Sequence, residues 1–205
     1  KFITRQASER IARFAFEYAE QHQRRQVAVA HRADVLRITD GLFLSAAQRE
    51  AARHPAVAFA ELAIDNTCLQ LVRDPTRFDI ILAPLTYGDF LSDLCAGLAG
   101  GLGFMGGANY GDGVAIFEAA HGSAPRYAGQ NTANPVAMIL SAGMMLDHLG
   151  EPAAAGQVRQ AVGQVLSEGS FPTREMGGTT GTREIAAAIA DRVRQLAAQH
   201  AAVTT

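Results

Sequence analysis

Short apolar runs set between helically patterned stretches constrain this chain more than any other feature. Phe78–Ala83 has an almost continuous apolar core with no polar alternation, the pattern of a strand buried on both faces of a parallel sheet. Val27–His31 and Val57–Ile64 read as two further strands. Around them lie helices. Ser8 is expected to cap the first, with Glu9 in its first turn and Ile11, Phe14, Ala15 and Tyr18 recurring at helical spacing. Thr39–His54 is expected to be helical and to stop before Pro55. Asp65 is expected to cap a short helix ending near Asp74-Pro75, and Gly88–Leu98 reads as another. Alternating strands and helices imply an α/β architecture.

The second half reads differently. Gly100–Gly113 is rich in glycine and is expected to be loop, with a strand over Val114–Phe117. Asn134 stands before Pro135 as a cap before a first-turn proline, and Gly150 ends that helix. Two more helices are expected over 152–168 and 182–201, separated by Gly177–Gly181. A domain change is expected in the glycine stretch, giving domains of residues 1–98 and 99–205.

At 205 residues the chain makes one domain or parts of two. A net charge of -2 gives no sign of a nucleic-acid-binding surface. Cys68 and Cys95 are too few for a disulfide framework, so a reducing compartment fits and a cytoplasmic location is expected. The longest apolar run, Pro135–Leu146, is too short to span a bilayer, so no membrane association is expected. The chain opens on Lys1 rather than Met and reads as the tail of something longer. Lys1 is also its only lysine, so no internal lysine is available as a general base.

Asp89 and Asp93 are four apart. On a helix that spacing puts both carboxylates on one face, where they repel unless a cation lies between them. Hard carboxylate oxygens suit Mg²⁺ or Mn²⁺. The bland alternative is a solvated helix face, and for Asp65 a helix cap. Downstream, His121-Gly122-Ser123-Ala124-Pro125 forms a loop offering backbone N–H groups, with Asn134 beyond it. A polar surface loop with a capping asparagine is the alternative there.

Taken together, Ala7-Ser8-Glu9-Arg10-Ile11-Ala12, Thr39-Asp40-Gly41-Leu42-Phe43, Gly88-Asp89 through Ser92-Asp93, His121 to Pro125 and Asn134-Pro135 resemble the β-decarboxylating dehydrogenases. That family includes isocitrate, 3-isopropylmalate, homoisocitrate and tartrate dehydrogenases, and the resemblance runs from about Thr4 to Ile189. It implies the C-terminal two-thirds of a two-domain, doubly wound isocitrate/isopropylmalate dehydrogenase-like fold. Residues 1–98 would belong to the small domain, with dimer contacts and the metal site, and residues 99–205 to the large, cofactor-binding domain. The first third of a typical member, which holds substrate-gripping residues, would lie outside the chain. The implied reaction is metal-dependent oxidative decarboxylation of a 2-hydroxy acid by NAD(P)⁺, with isocitrate favoured over 3-isopropylmalate or tartrate. Asp89 and Asp93 of one protomer, with Asp65 of its partner, would hold Mg²⁺ or Mn²⁺, in a homodimer or hetero-oligomer sharing the site. His121, Gly122, Ser123, Ala124, Pro125 and Asn134 would hold the adenosine end of the dinucleotide, and Glu118 would lie near the nicotinamide. Arg126-Tyr127 stands where NAD-using members have an acidic residue. An arginine there pairs with a 2′-phosphate, which favours NADP, with NAD second; the alternative is an exposed surface arginine.

Three positions depart from the pattern. His31-Arg32-Ala33-Asp34 stands in place of His-Lys-Ala-Asn. Arg32 occupies the position of the proton-transferring lysine, but arginine keeps its proton. Asp34 adds charge on the substrate side, and Leu85 removes an amide before the metal motif. These departures support an alternative: a non-catalytic regulatory or structural subunit, or a degenerate family member.

Overall fold

The computed structural model describes residues 2–203, which fall into two compact units, Lys1–Cys95 and Ala96–Thr205. The first unit contains α1 (Arg5–Gln21), β1 (Gln26–His31), α2 (Thr39–Ala51), β2 (Ala58–Ala63), α3 (Ile64–Arg73), β3 (Ile80–Leu82) and most of α4 (Leu85–Leu98). The strands form a parallel sheet in the order β2-β1-β3, with β1 in the centre. Each central residue from Val27 to Ala30 is buried, as a strand covered on both faces requires. Val27 and Val29 join a cluster with Phe16 of α1, Phe43 of α2 and Leu82. Ala30 joins a second cluster, with Leu71 of α3 and Leu91 of α4. The alternation of side chains along β1 thus divides the core into two layers.

Two helix starts differ from expectation. Thr4, not Ser8, caps α1, and its hydroxyl accepts the Ala7 N–H. Ser8 is buried one turn inside and donates its hydroxyl to the Thr4 carbonyl at 2.8 Å, a bond open to serine within a helix. Asp65 is likewise not a cap: β2 runs directly into α3, Ala63 is the cap position, and Asp65 lies in the first turn.

In the second unit the glycine stretch is largely a hairpin rather than a loop. β4 (Gly106–Gly111) pairs antiparallel with β5 (Val114–Ala119), joined through Asp112-Gly113, with Gly113 at φ +75°. That is the backbone region glycine enters without steric cost. α5 (Val136–His148), α6 (Pro152–Glu168) and α7 (Thr182–Val203) complete the unit. Their core is Val136, Ala161, Val162, Val165, Ile185 and Ile189. Ser141 of α5 fastens the hairpin: its buried hydroxyl accepts the Gly107 N–H at 3.1 Å and lies 2.8 Å from the Glu118 carbonyl. Among the described residues no helix is long and apolar enough to cross a membrane.

Candidate functional site

In a parallel sheet, ligands collect beyond the C-terminal ends of the strands. β1 delivers His31-Arg32-Ala33-Asp34 there, and β2, in register with it, delivers α3 and Asp65. Arg32 Nη1 donates to Asp65 Oδ2 at 2.7 Å, and Arg32 Nε lies 3.8 Å from Asp34 Oδ1. The hydrogen bond to Asp65, reinforced by the Asp34 charge, raises the Arg32 pKa above its ordinary value. The Asp65 carboxyl is held below its ordinary range, first by the Asn66 N–H and then by Arg32.

The loop backbone is pinned separately from these side chains. Asp40, fully buried in the first turn of α2, accepts the Arg32 N–H at 2.9 Å. His31 Nδ1 accepts the Ala33 N–H at 3.0 Å, so that ring nitrogen carries no proton in this arrangement. Sequence reading marked Asp40 only as part of a motif. Its structural work is to set the direction in which Arg32 leaves the sheet.

Asp89 and Asp93 lie one turn apart on α4, both exposed. Neither faces a cationic side chain among the described residues. Such a pair suits a hard cation as part of an oxygen ligand set. Among the described residues, however, no three His, Cys, Asp or Glu side chains converge to hold an ion. Within one chain, Asp65 is engaged by Arg32 instead.

The second unit holds a cavity of about 650 Å³, within the range of small-molecule sites. Of the residues singled out in sequence, His121, Gly122, Ala124, Tyr127 and Asn134 line it. Ser123, Pro125 and Arg126 belong to the same loop without lining the cavity, and Glu118 pairs with Asn109 on the hairpin at 2.9 Å. Ala124 has φ +44°, and the N–H groups of Gly122, Ser123 and Ala124 donate to nothing among the described residues. Free amides in a strained turn are suited to anions. The N-cap position of α5 is Pro135 rather than the expected Asn134, which stands one residue before it; Asn134 Oδ1 accepts the Val136 N–H at 3.1 Å, while its Nδ2 donates to Glu175 at 3.0 Å.

Four further residues were not singled out in sequence. Thr132 and Thr173 line the cavity, and both hydroxyls are buried without a hydrogen-bond partner. Unpaired buried hydroxyls are costly unless a ligand meets them. Arg174 lies 5.4 Å over the Tyr127 ring. Glu175 packs against the turn at Gly103, where an added Cβ would come within 2.2 Å of its carboxylate. Thr173, Arg174 and Glu175 lie about forty positions from Asn134 in sequence, and no local periodicity links them to it. The unpaired hydroxyls, the free amides and Arg174, with Arg126 on the adjoining loop, make the cavity suited to an anionic ligand that carries hydroxyls.

Comparison with known proteins places the chain in one family. The profile of the isocitrate/isopropylmalate dehydrogenase family matches residues 1–189. The mitochondrial NAD isocitrate dehydrogenase catalytic subunit 5 of Arabidopsis thaliana is 47% identical over 194 residues, covering 94% of this chain and 52% of that protein. A mitochondrial regulatory subunit of NAD isocitrate dehydrogenase from Dictyostelium discoideum is 47% identical over 185 residues, covering 90% of this chain and 52% of its own. The crystal structure of isocitrate dehydrogenase from Methylococcus capsulatus superposes with a TM-score of 0.90 at 44% identity, covering 94% of this chain and 57% of that one. The chain spans about half the length of the curated relatives it matches. The expected cytoplasmic location is corrected by the Arabidopsis and Dictyostelium relatives, which are mitochondrial proteins by name; two cysteines without a disulfide do not distinguish compartments.

Proposed function

The chain belongs to the isocitrate/isopropylmalate dehydrogenase family, and on that premise we propose that the protein carrying it oxidatively decarboxylates isocitrate with a divalent metal and a nicotinamide dinucleotide. The observation that carries this reading is the Asp89/Asp93 pair, two exposed carboxylates on one helix face with no cationic side chain facing them among the described residues. Asp89 and Asp93 of one protomer, with the partner subunit's Asp65, would hold Mg²⁺ or Mn²⁺; a shared site is consistent with the absence of a complete ligand set among the described residues. Residues 1–98 would then carry the metal and the contacts between protomers, and residues 99–205 the dinucleotide. Bound metal would polarise the 2-hydroxyl and the carbonyl that succeeds it while the dinucleotide accepts hydride.

Arg32, placed between Asp65 and Asp34, keeps its proton. It serves as a hydrogen-bond donor to developing negative charge and as an orienter of the water that takes the hydroxyl proton. Asp34 holds the opposite side of the guanidinium. His121 to Pro125 and Asn134 would hold the adenosine, with Glu118 towards the nicotinamide. Arg126 and Tyr127 support NADP as the phosphorylated form, although the relatives named above are NAD enzymes by name.

A second reading, a regulatory subunit, is favoured by one observation: Arg32 holds Asp65 within its own chain. The deciding experiment measures Mn²⁺-dependent NAD(P)H formation from isocitrate by the intact protein, with Arg32→Lys alongside. Turnover by the unaltered protein establishes an enzyme with arginine in the proton-transfer position. Silence rescued at least about tenfold by Arg32→Lys, as expected when a titratable base is restored, identifies a decayed catalyst. Silence in both overturns the catalytic reading in favour of a regulatory subunit.

A further inference from the structure

Oxidation of a 2-hydroxyl to a carbonyl releases one proton, and the residues at the end of β1 decide where it goes. Arg32 keeps its own proton and takes no other. Asp40 is fully buried and accepts the Arg32 N–H, with the Thr39 hydroxyl 3.3 Å from its other oxygen. His31 accepts the Ala33 N–H at Nδ1, so in the neutral ring the second nitrogen carries the proton and has no lone pair to offer. Asp65 is engaged by the Asn66 N–H at 2.8 Å and by Arg32 Nη1 at 2.7 Å, and its charge is assigned to the cation. Asp34 is different. Its side chain is 60% exposed, and its carboxylate accepts no hydrogen bond among the described residues.

The turn fixes this carboxylate beside the guanidinium. The Arg32 carbonyl accepts both the Val35 N–H at 3.0 Å and the Leu36 N–H at 2.7 Å, so Asp34 lies inside a turn closed on Arg32 itself. Asp34 Oδ1 stands 3.8 Å from Arg32 Nε. That separation is an ion pair but too long for a direct hydrogen bond, and it suits a water held by both groups. Asp65 of α3 and the Tyr87 phenol of α4 are the other ionisable groups whose charge acts on the same guanidinium. We propose that Asp34 is the terminal proton acceptor of the reaction: the hydroxyl proton passes to a water oriented by Arg32, and a proton of that water passes to the Asp34 carboxylate. The balance needs no further reactant. The hydrogen on C2 leaves as hydride to the dinucleotide, the electron pair of the O–H bond completes the carbonyl, and Asp34, open to solvent, gives up its proton before the next turnover. This inference rests on the isocitrate-oxidising function proposed above and names the group that this function needs with arginine at position 32.

The test is a double-mutant cycle on Asp34 and Arg32 in the intact protein, read by steady-state kinetics with isocitrate, Mn²⁺ and the dinucleotide. Asp34→Asn is expected to lower kcat by about a hundredfold, the scale of losing a general base. KM for isocitrate is expected to stay the same or fall, because a charge that repels the anionic substrate has gone. Asp34→Glu, which keeps the carboxylate, is expected to retain kcat within about tenfold. In the Arg32→Lys background, where an amine takes over the proton, Asp34→Asn is expected to cost less than about threefold. A carboxylate titrates well below an amine, so the acid limb of the kcat profile is expected at higher pH in the Arg32→Lys, Asp34→Asn double variant than in the unaltered protein. An undiminished kcat in Asp34→Asn, equal losses in both backgrounds, or a loss carried by KM alone overturns the proposal while the function stands. Turnover only where Arg32→Lys is present overturns it too. Silence of every variant refutes the underlying reaction itself, an outcome distinct from those.

Discussion

Arg32 shows how one side chain can be well placed and chemically altered at once. Held by Asp65 and Asp34, it is a fixed positive charge where a lysine would be a titratable one. Arg126 is the counterpart in the second unit. It projects from the turn after Ala124, its carbonyl tied by Gln130 Nε2 at 2.6 Å, so the side chain's origin is fixed while its guanidinium remains available. Arg126→Asp is expected to lower the NADP/NAD ratio of kcat/KM by about ten- to a hundredfold, the scale of exchanging a phosphate-pairing fork for a like charge. Steady-state kinetics with both dinucleotides checks this, and an unchanged ratio removes Arg126 from the phosphate position.

The elements owe their placement to a few cross-links that periodicity does not reveal. Asp79, just before β3, accepts the Arg25 N–H at 2.6 Å and pairs with Arg24 at 3.2 Å, joining the starts of β1 and β3. Its pKa lies below the ordinary 3.8, chiefly because of the Arg25 N–H. The folded state therefore gains stability above that pH and loses it as pH falls through the lowered value. Asp79→Ala is expected to cost about 1–3 kcal/mol near neutrality, with the difference from the unaltered protein shrinking below about pH 4; urea unfolding across pH measures both. The parallel sheet and α6 were legible in sequence because burial on both faces and a proline-to-glycine frame leave strong local marks. The β4–β5 hairpin was not, since Gly106-Gly107-Ala108-Asn109-Tyr110-Gly111 has too few side chains to alternate. Its one local sign was Asp112-Gly113, a hairpin dipeptide. The start of α1 was misplaced because Thr4 and Ser8 are both competent caps, and burial of Ser8 decides between them. Arg32, Asp65, Asp89 and Asp93 were nominated by spacing and resemblance, whereas Thr173 and Glu175 reach the cavity only through the folding of a distant turn.

At the scale of the whole molecule, the metal reading makes a thermodynamic claim. A cation that binds the folded assembly and not the unfolded chain stabilises it by mass action. Mn²⁺ at a hundredfold excess over its dissociation constant is expected to raise the melting temperature by about 5–10 °C, and Asp93→Asn to abolish the rise. A melting temperature indifferent to millimolar Mn²⁺ with isocitrate present would remove the Asp89/Asp93 pair from metal binding. The loop at the end of β1 bears on how such a molecule changes over generations. Its backbone is shaped by Asp40 and His31, while its chemistry is supplied by the side chain at position 32. Shape and chemistry are therefore inherited through different residues. Lysine and arginine can exchange at that position without the loop having to be rebuilt, so a lineage can lose a proton-transfer group, or regain it, in a single codon step on an unchanged scaffold.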